Sequence, residues 1–207
     1  MQKLNQQPDI CPYFSPEFKV IPQYIVMKEG ECMELNNKTT NFFIFILSGE
    51  ITISFEQYTN RPVLENEMFF LPKNNCFKWK AVTKTALILT GYNTTTFPCT
   101  SARAGILYKI KGGVKFDCRG VVMKDEVKTV VNQMKHYLES GINCHHMYIL
   151  KHKELYLMFK HFYTYEEIVQ IFYLTLGSNP LFNERVLDNY LKVKTVKELA
   201  GLLGYGI

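Results

Sequence analysis

Five histidines and six cysteines are the side chains best suited to chemistry in this 207-residue chain. His136, His145, His146, His152 and His161 all fall in its second half. His145 and His152 stand seven apart, so one helical face would carry both imidazoles and could offer them to a metal. No carboxylate or thiolate is spaced to complete such a site, and surface or capping roles are expected instead. Cys11, Cys32, Cys76, Cys99, Cys118 and Cys144 are scattered without a C-x-x-C pair. That scatter reads as unpaired, mostly packed thiols of a reducing compartment, with the cytoplasm as the expected location. Cys144 adjoins His145, but neighbours on a helix point about 100° apart and do not make a nucleophile–base dyad. There is no G-x-S-x-G, and Gly112-Gly113 lacks the Lys-Ser/Thr of a phosphate loop and reads as a turn. No catalytic residue, bound metal or cofactor is expected.

The elements that would position these residues change character partway along the chain. Hydrophobic residues make up 47% and charged residues 21%, the balance of an ordinary globular protein. No apolar run approaches the roughly 18 residues of a membrane span, and Met1-Gln2-Lys3-Leu4-Asn5 does not open a secretory signal. All but one unit of the net charge of +5 falls in residues 1–123, so charge alone does not point to nucleic acid at the C-terminal end.

Residues 1–123 read as β structure. Phe42–Leu47 is an apolar run, Ser48-Gly49 reads as a hairpin turn, and Ile51, Ile53 and Phe55 then alternate with Thr52, Ser54 and Glu56. Met68–Leu71 ends at Pro72. Phe77, Trp79 and Ala81 alternate with lysines, and Ala86–Leu89 forms another buried run. Ile106, Tyr108 and Ile110 alternate before Gly112-Gly113, and Val114–Asp117 resumes the pattern. Many short strands predict a sandwich or barrel. Aromatic residues are 14% of the chain; Phe45, Phe55, Trp79 and Tyr92 either fill its core or line a ligand cavity.

From Lys124 the period lengthens. Val127, Val130, Val131, Met134 and Leu138 form one stripe of a helix opened by Asp125-Glu126 and closed by Gly141. The stripe either packs on the β structure or forms a seam with a second copy. Its width and its charged flanks (Lys124, Lys128, Glu139) favour dimerisation. Residues 145–163 read as helix, and Thr164-Tyr165-Glu166-Glu167 as a capping box for the next one. Gly177-Ser178-Asn179-Pro180 breaks that helix.

Thr195-Val196-Lys197-Glu198 is a second capping box and starts a helix. Within it Ala200 and Gly204 stand four apart, with Leu199, Leu203 and Tyr205 as apolar neighbours. A helix-turn-helix needs a small residue where its helices cross and a glycine where the backbone turns. A base-reading helix would then begin near Ile207. Residues 186–190 and 193–206 resemble the opening of an AraC-family DNA-binding domain, and Lys153–Phe159 with Tyr163 and Glu166–Ile168 resembles the helical linker of one branch of that family. The resemblance implies an α+β chain with a cupin-like sensor β-barrel at 1–123, a helical linker and dimerisation region at 124–176, and a truncated start of the helix-turn-helix domain at 177–207. On this reading the chain is a fragment of a longer protein. The helix-turn-helix start is assigned to Thr195, Glu198, Leu199, Ala200, Leu203, Gly204 and Tyr205. The intact protein would be a ligand-responsive bacterial transcription regulator that binds DNA as a homodimer, takes an unidentified small-molecule effector and has no membrane partner. A metal in the barrel would lack its imidazoles, since no histidine lies in the β region. The alternative is a small cupin-like enzyme, metal-free or metal-dependent, with a helical appendage; a third is a naturally short regulator that pairs with full-length partners.

Overall fold

The computed structural model describes residues 22–92, 113–116, 118–142, 144–174 and 189–202. The strands are β1 (Gln23–Met27), β2 (Cys32–Asn37), β3 (Asn41–Ser48), β4 (Glu50–Phe55), β5 (Tyr58–Leu64), β6 (Glu67–Leu71), β7 (Asn75–Ala81), β8 (Thr85–Tyr92) and β9 (Val121–Val122). They form two antiparallel sheets, ordered β1-β8-β3-β6-β9 and β2-β7-β4-β5. Apart from the short β9, the order is that of an eight-stranded jelly roll, the architecture of cupins. The first half is therefore cupin-like.

The hairpin expected at Ser48-Gly49 does not form. β3 pairs with β6 and β8, whereas β4 pairs with β5 and β7, so Gly49 carries the chain from one sheet to the other. Its φ is +82°, and a Cβ there would lie 2.5 Å from the Lys84 carbonyl oxygen and 2.9 Å from Thr85 Cα. Glycine alone accepts both that conformation and that approach. The Thr85 hydroxyl then ties the corner, donating to the Glu50 carbonyl at 2.9 Å and accepting from the Glu50 N–H at 3.1 Å.

Between the sheets lies one core. Ile44, Ile46, Leu87, Leu89, Phe69 and Leu71 from the first sheet meet Ile51, Ile53, Phe55, Phe77, Trp79 and Ala81 from the second. β5 carries Pro62 and sits at a sheet edge, where a residue without an N–H leaves no ladder bond unmade. Val114–Phe116 is not a strand. There the backbone instead meets a helix, with the Lys115 carbonyl accepting from Gln170 Nε2 at 3.0 Å. The alternation at 106–110 and the break at 177–180 lie outside the described residues.

Helices cover the other face of the first sheet. They are α1 (Asp125–Glu139), α2 (His145–Phe162) and α3 (Tyr165–Phe172); a 3₁₀ turn (Tyr190–Lys192) and α4 (Val196–Leu202) follow. Gly141, at φ +70°, ends α1 as expected. Its N–H donates to Leu138 O at 3.0 Å and that of Ile142 to Tyr137 O at 2.9 Å, the paired bonds of a Schellman closure. Thr164 and Glu167 make the reciprocal capping bonds of α3.

Val127, Val130, Val131 and Met134 are buried in a second core with Phe43, Phe45, Phe70 and Ile88, and Leu138 packs against it partly buried. Of the two roles open to this stripe, its side chains occupy the one on the sheet of their own chain. Phe43 is the hub of that core, with ring centroids 4.8 Å from Phe70, 5.0 Å from Tyr92, 5.5 Å from Phe159 and 5.8 Å from Phe172. Phe43→Ala is expected to cost about 3–5 kcal/mol of stability, measured by urea unfolding. A loss below about 1 kcal/mol would show that the helices do not depend on this ring.

Candidate functional site

Three places in this architecture hold groups with functional potential. The first is the joint between β8 and α2. β8 presents Ile88, Thr90 and Tyr92 to the helices, and Thr90 is a fully buried hydroxyl within an otherwise apolar run. Its Oγ1 lies 2.7 Å from His152 Nε2. The Tyr92 ring stands edge-on to the same imidazole, 6.2 Å between centroids. Burial first, and then the neighbouring His145, push His152 down to about 4. Burial, reinforced by Tyr156, drives the Tyr92 phenol well above its ordinary range. His152 is thus a neutral hydrogen-bonding ring at neutral pH, positioned by α2 beside a strand hydroxyl.

The second is a clasp where β9, α1, α2 and α3 converge. The Tyr163 hydroxyl accepts from the Lys124 N–H at 2.8 Å and donates to the Val122 carbonyl at 3.1 Å. Burial holds its phenol up at about 12. The Lys124 ammonium pairs with Glu167 at 2.8 Å. Burial alone would raise the Glu167 carboxyl, but Lys124 and the Thr164 N–H outweigh it and hold it below the ordinary value. Each polar group here has a partner, so the clasp orders helices rather than offering a reactive atom.

The third is the interior of the jelly roll. Its side chains are large, apolar and almost wholly buried. Phe116 and Leu174 pack against the same core, and Phe116 stacks on Tyr173 at 4.4 Å with the rings 3° from parallel. A gap beside them, lined by Met68, Phe70, Arg119 and Gln170 among others, measures about 10 Å³, which is water-sized. The Trp79 Nε1–H is buried and makes no hydrogen bond among the described residues.

All five histidines lie on helices, outside both sheets. Among the described residues no three His, Cys, Asp or Glu side chains come together as a metal set, and no helix is long and apolar enough to cross a membrane. Cys76 donates to Glu34 Oε1 at 3.1 Å, a bond that raises its thiol pKa and so works against thiolate chemistry.

The expected helix-turn-helix start is partly described. Thr195 Oγ1 accepts from the Glu198 N–H at 3.1 Å, as a cap should. The Glu198 carboxylate reaches the N–H of Lys194 at 2.9 Å rather than that of Thr195, so the second half of the box is displaced by one residue. Leu199 and Ala200 are half-buried, while α4 as a whole buries no residue. Leu203, Gly204 and Tyr205 lie outside the described residues. Sequence reasoning missed the Thr90–His152 pair. Its one signal was the second threonine of β8, Thr90, set within the apolar run that follows Thr85.

No family model matches the chain, and no curated protein matches it. Similar solved structures include the cupin domain of Schizosaccharomyces pombe Cnp3, 21% identical at a TM-score of 0.35, with 40% of this chain and 58% of that one covered. A conserved Streptococcus pyogenes protein of unknown function is 19% identical at 0.33, over 36% of this chain and 64% of that one. An RmlC-like cupin family protein from Methanocaldococcus jannaschii is also 19% identical at 0.33, over 35% and 68%. The chain spans less than two thirds of the first two. The cupin-like description rests on the strand order itself.

The His152 environment generates a pH prediction. An unfolded imidazole binds its proton near 6.5 and the folded one only near 4, so between these values the unfolded state holds more protons. Stability should be fully present above pH about 6.5 and decline as pH falls towards 4. His152→Gln keeps a polar partner for Thr90 without that titration. It should flatten the decline in Tm across this window, and an unchanged profile would show that other groups govern acid unfolding.

Proposed function

We propose that this chain is the sensor and dimerisation part of a ligand-responsive, AraC-type transcription regulator, with the helix-turn-helix beginning at Thr195, and that it is not an enzyme. The observation that carries the reading is α4. Its first turn is capped by Thr195, yet Val196 is 84% and Leu202 50% exposed and none of its residues is buried. A capped helix whose Val196 and Leu202 are so exposed is suited to a neighbour of its own. The Ala200–Gly204 spacing is that of a helix entering a tight turn. A second helix beyond it would enter a major groove, and two such heads on a twofold dimer would meet matched half-sites.

The effector would occupy the jelly-roll interior. An apolar molecule carrying one acceptor suits it, since it would satisfy the buried Trp79 N–H while displacing apolar side chains. Phe116 and Leu174 would have to yield to admit it. Leu174 lies just past α3, so occupancy would bias the chain leading to α4 by its difference in affinity between the two arrangements.

The test is DNA binding by the product of the full reading frame. Affinity for its own upstream region should fall steeply with salt, as phosphate contacts require. Gly204→Val should abolish specific binding, because a β-branched residue resists the left-handed turn conformation. Specific binding that survives this substitution would remove the helix-turn-helix assignment. Trp79, the sole tryptophan, reports on the interior: effector binding should shift its emission, and Trp79→Phe should weaken that binding about five- to tenfold.

A further inference from the structure

The seam between the two sheets is closed by residues that belong to neither. β5 ends one sheet, and the short β9, beside β6, ends the other. Residues 114–116 and 118–120 lead into β9 across this seam. A Cβ on Gly120 would come within 2.9 Å of Val63 Cγ1 from β5 and of Glu67 Cβ from β6, so the backbone there touches both edges. Cys118 is fully buried in the core between the sheets, and Phe116 packs against that core partly buried. The Phe116 ring stands edge-on to Tyr58, at the head of β5, with centroids 5.9 Å apart.

Two contacts join these residues to the end of α3. The Lys115 carbonyl accepts from Gln170 Nε2 at 3.0 Å, and Phe116 stacks on Tyr173 at 4.4 Å. Gln170 lies in the last turn of α3 and Tyr173 caps it, so one helix end holds both. Neither contact is strong alone, being one hydrogen bond near solvent and one ring stack. The packing beneath is also incomplete. The water-sized gap lies here, between Phe116 and Arg119, Met68 of β6 and Gln170 of α3. Cys118 is held at φ +57°, in the left-handed region that a residue with a Cβ enters only at a cost. A segment with a weak latch, a void under it and a strained residue opens more readily than the sheets it lies on.

We propose that residues 114–116 and 118–120 form a strap latched to the end of α3, and that it opens as a unit while both sheets stay folded. Opening uncovers Cys118 and gives a small apolar molecule its way into the jelly-roll interior. That role as a door rests on the reading of the interior as the effector site; the opening itself does not.

N-ethylmaleimide labelling of the whole chain, read at Cys118 by peptide mass spectrometry across a urea series below the unfolding transition, tests it. Local opening exposes little surface, so the Cys118 rate should be nearly flat in urea and faster than global unfolding, followed by circular dichroism, allows. Gln170→Glu places a carboxylate that cannot donate to the Lys115 carbonyl, and Tyr173→Leu keeps an apolar side chain without the ring. Each should speed Cys118 labelling about two- to tenfold, with little change in Tm and with the exposed Cys32 labelled at its original rate. Should Tyr173→Leu fail to fold, Gln170→Glu still decides, since its side chain lies near solvent. A Cys118 rate that climbs with urea at the slope of global unfolding overturns the proposal, as does a rate indifferent to the substitutions. Trp79 emission that responds to a small molecule while Cys118 labels only through global unfolding removes the strap and keeps the effector reading; local opening in a chain that binds no effector does the reverse.

Discussion

The structure depends on a sheet that must be buried on both faces. In β3 the residues Phe43 and Phe45 point one way and Ile44 and Ile46 the other, and all four are inaccessible to solvent. A strand normally presents one face to water, and alternation of polar and apolar residues follows from that. Here neither face can be left wet. The second sheet covers the isoleucine side, and α1–α3 must cover the phenylalanine side. The helices are thus a structural obligation of the sheet rather than an attachment to it. By contrast, the second sheet shows water an outer face bearing Cys32, Glu34, Lys78 and Lys80, and it needs no such cover.

Covering a sheet with helices also brings polar groups into the joint, and each has been given a partner. Thr90 bonds His152. The Tyr148 hydroxyl donates to the Ile142 carbonyl at 2.6 Å, tying α2 to the loop after α1. The Tyr163 hydroxyl joins Lys124 and Val122. An unmade bond at such a place costs more than a made one contributes, so these contacts set the angle and register of the helices more than they add to stability. They fix which side of α2 faces inward, and therefore which side faces out.

That orientation links fold to function. One side of α2 is spent on the sheet, and on the other Leu150 and Leu157 are exposed among charged and imidazole side chains. α1 has a single apolar stripe, and the sheet uses it. α4 leaves Val196 and Leu202 largely exposed. The result is a body with a packed interior whose helices are held to the first sheet, followed by a short capped helix that buries none of its residues.

The residues of the sequence determined, without help from tertiary contacts, everything decided within a few positions: the alternation of β4 and β7, the start of α1 at Asp125-Glu126, its closure at Gly141, the capping box at Thr164 and the cap at Thr195. Each of these rests on bonds and side-chain directions between near neighbours, and near neighbours are what a sequence displays. Pairing was not legible in the same way. Gly49 has the same local chemistry in a hairpin as in a corner between sheets, and only the closeness of Lys84 and Thr85 distinguishes them. The Val127 stripe would look the same facing a sheet or a second subunit, and Thr90 gives no hint of a histidine sixty-two residues away. The tertiary structure decided these points because burial is a property of what lies across the core, and the residues that meet there are distant along the chain.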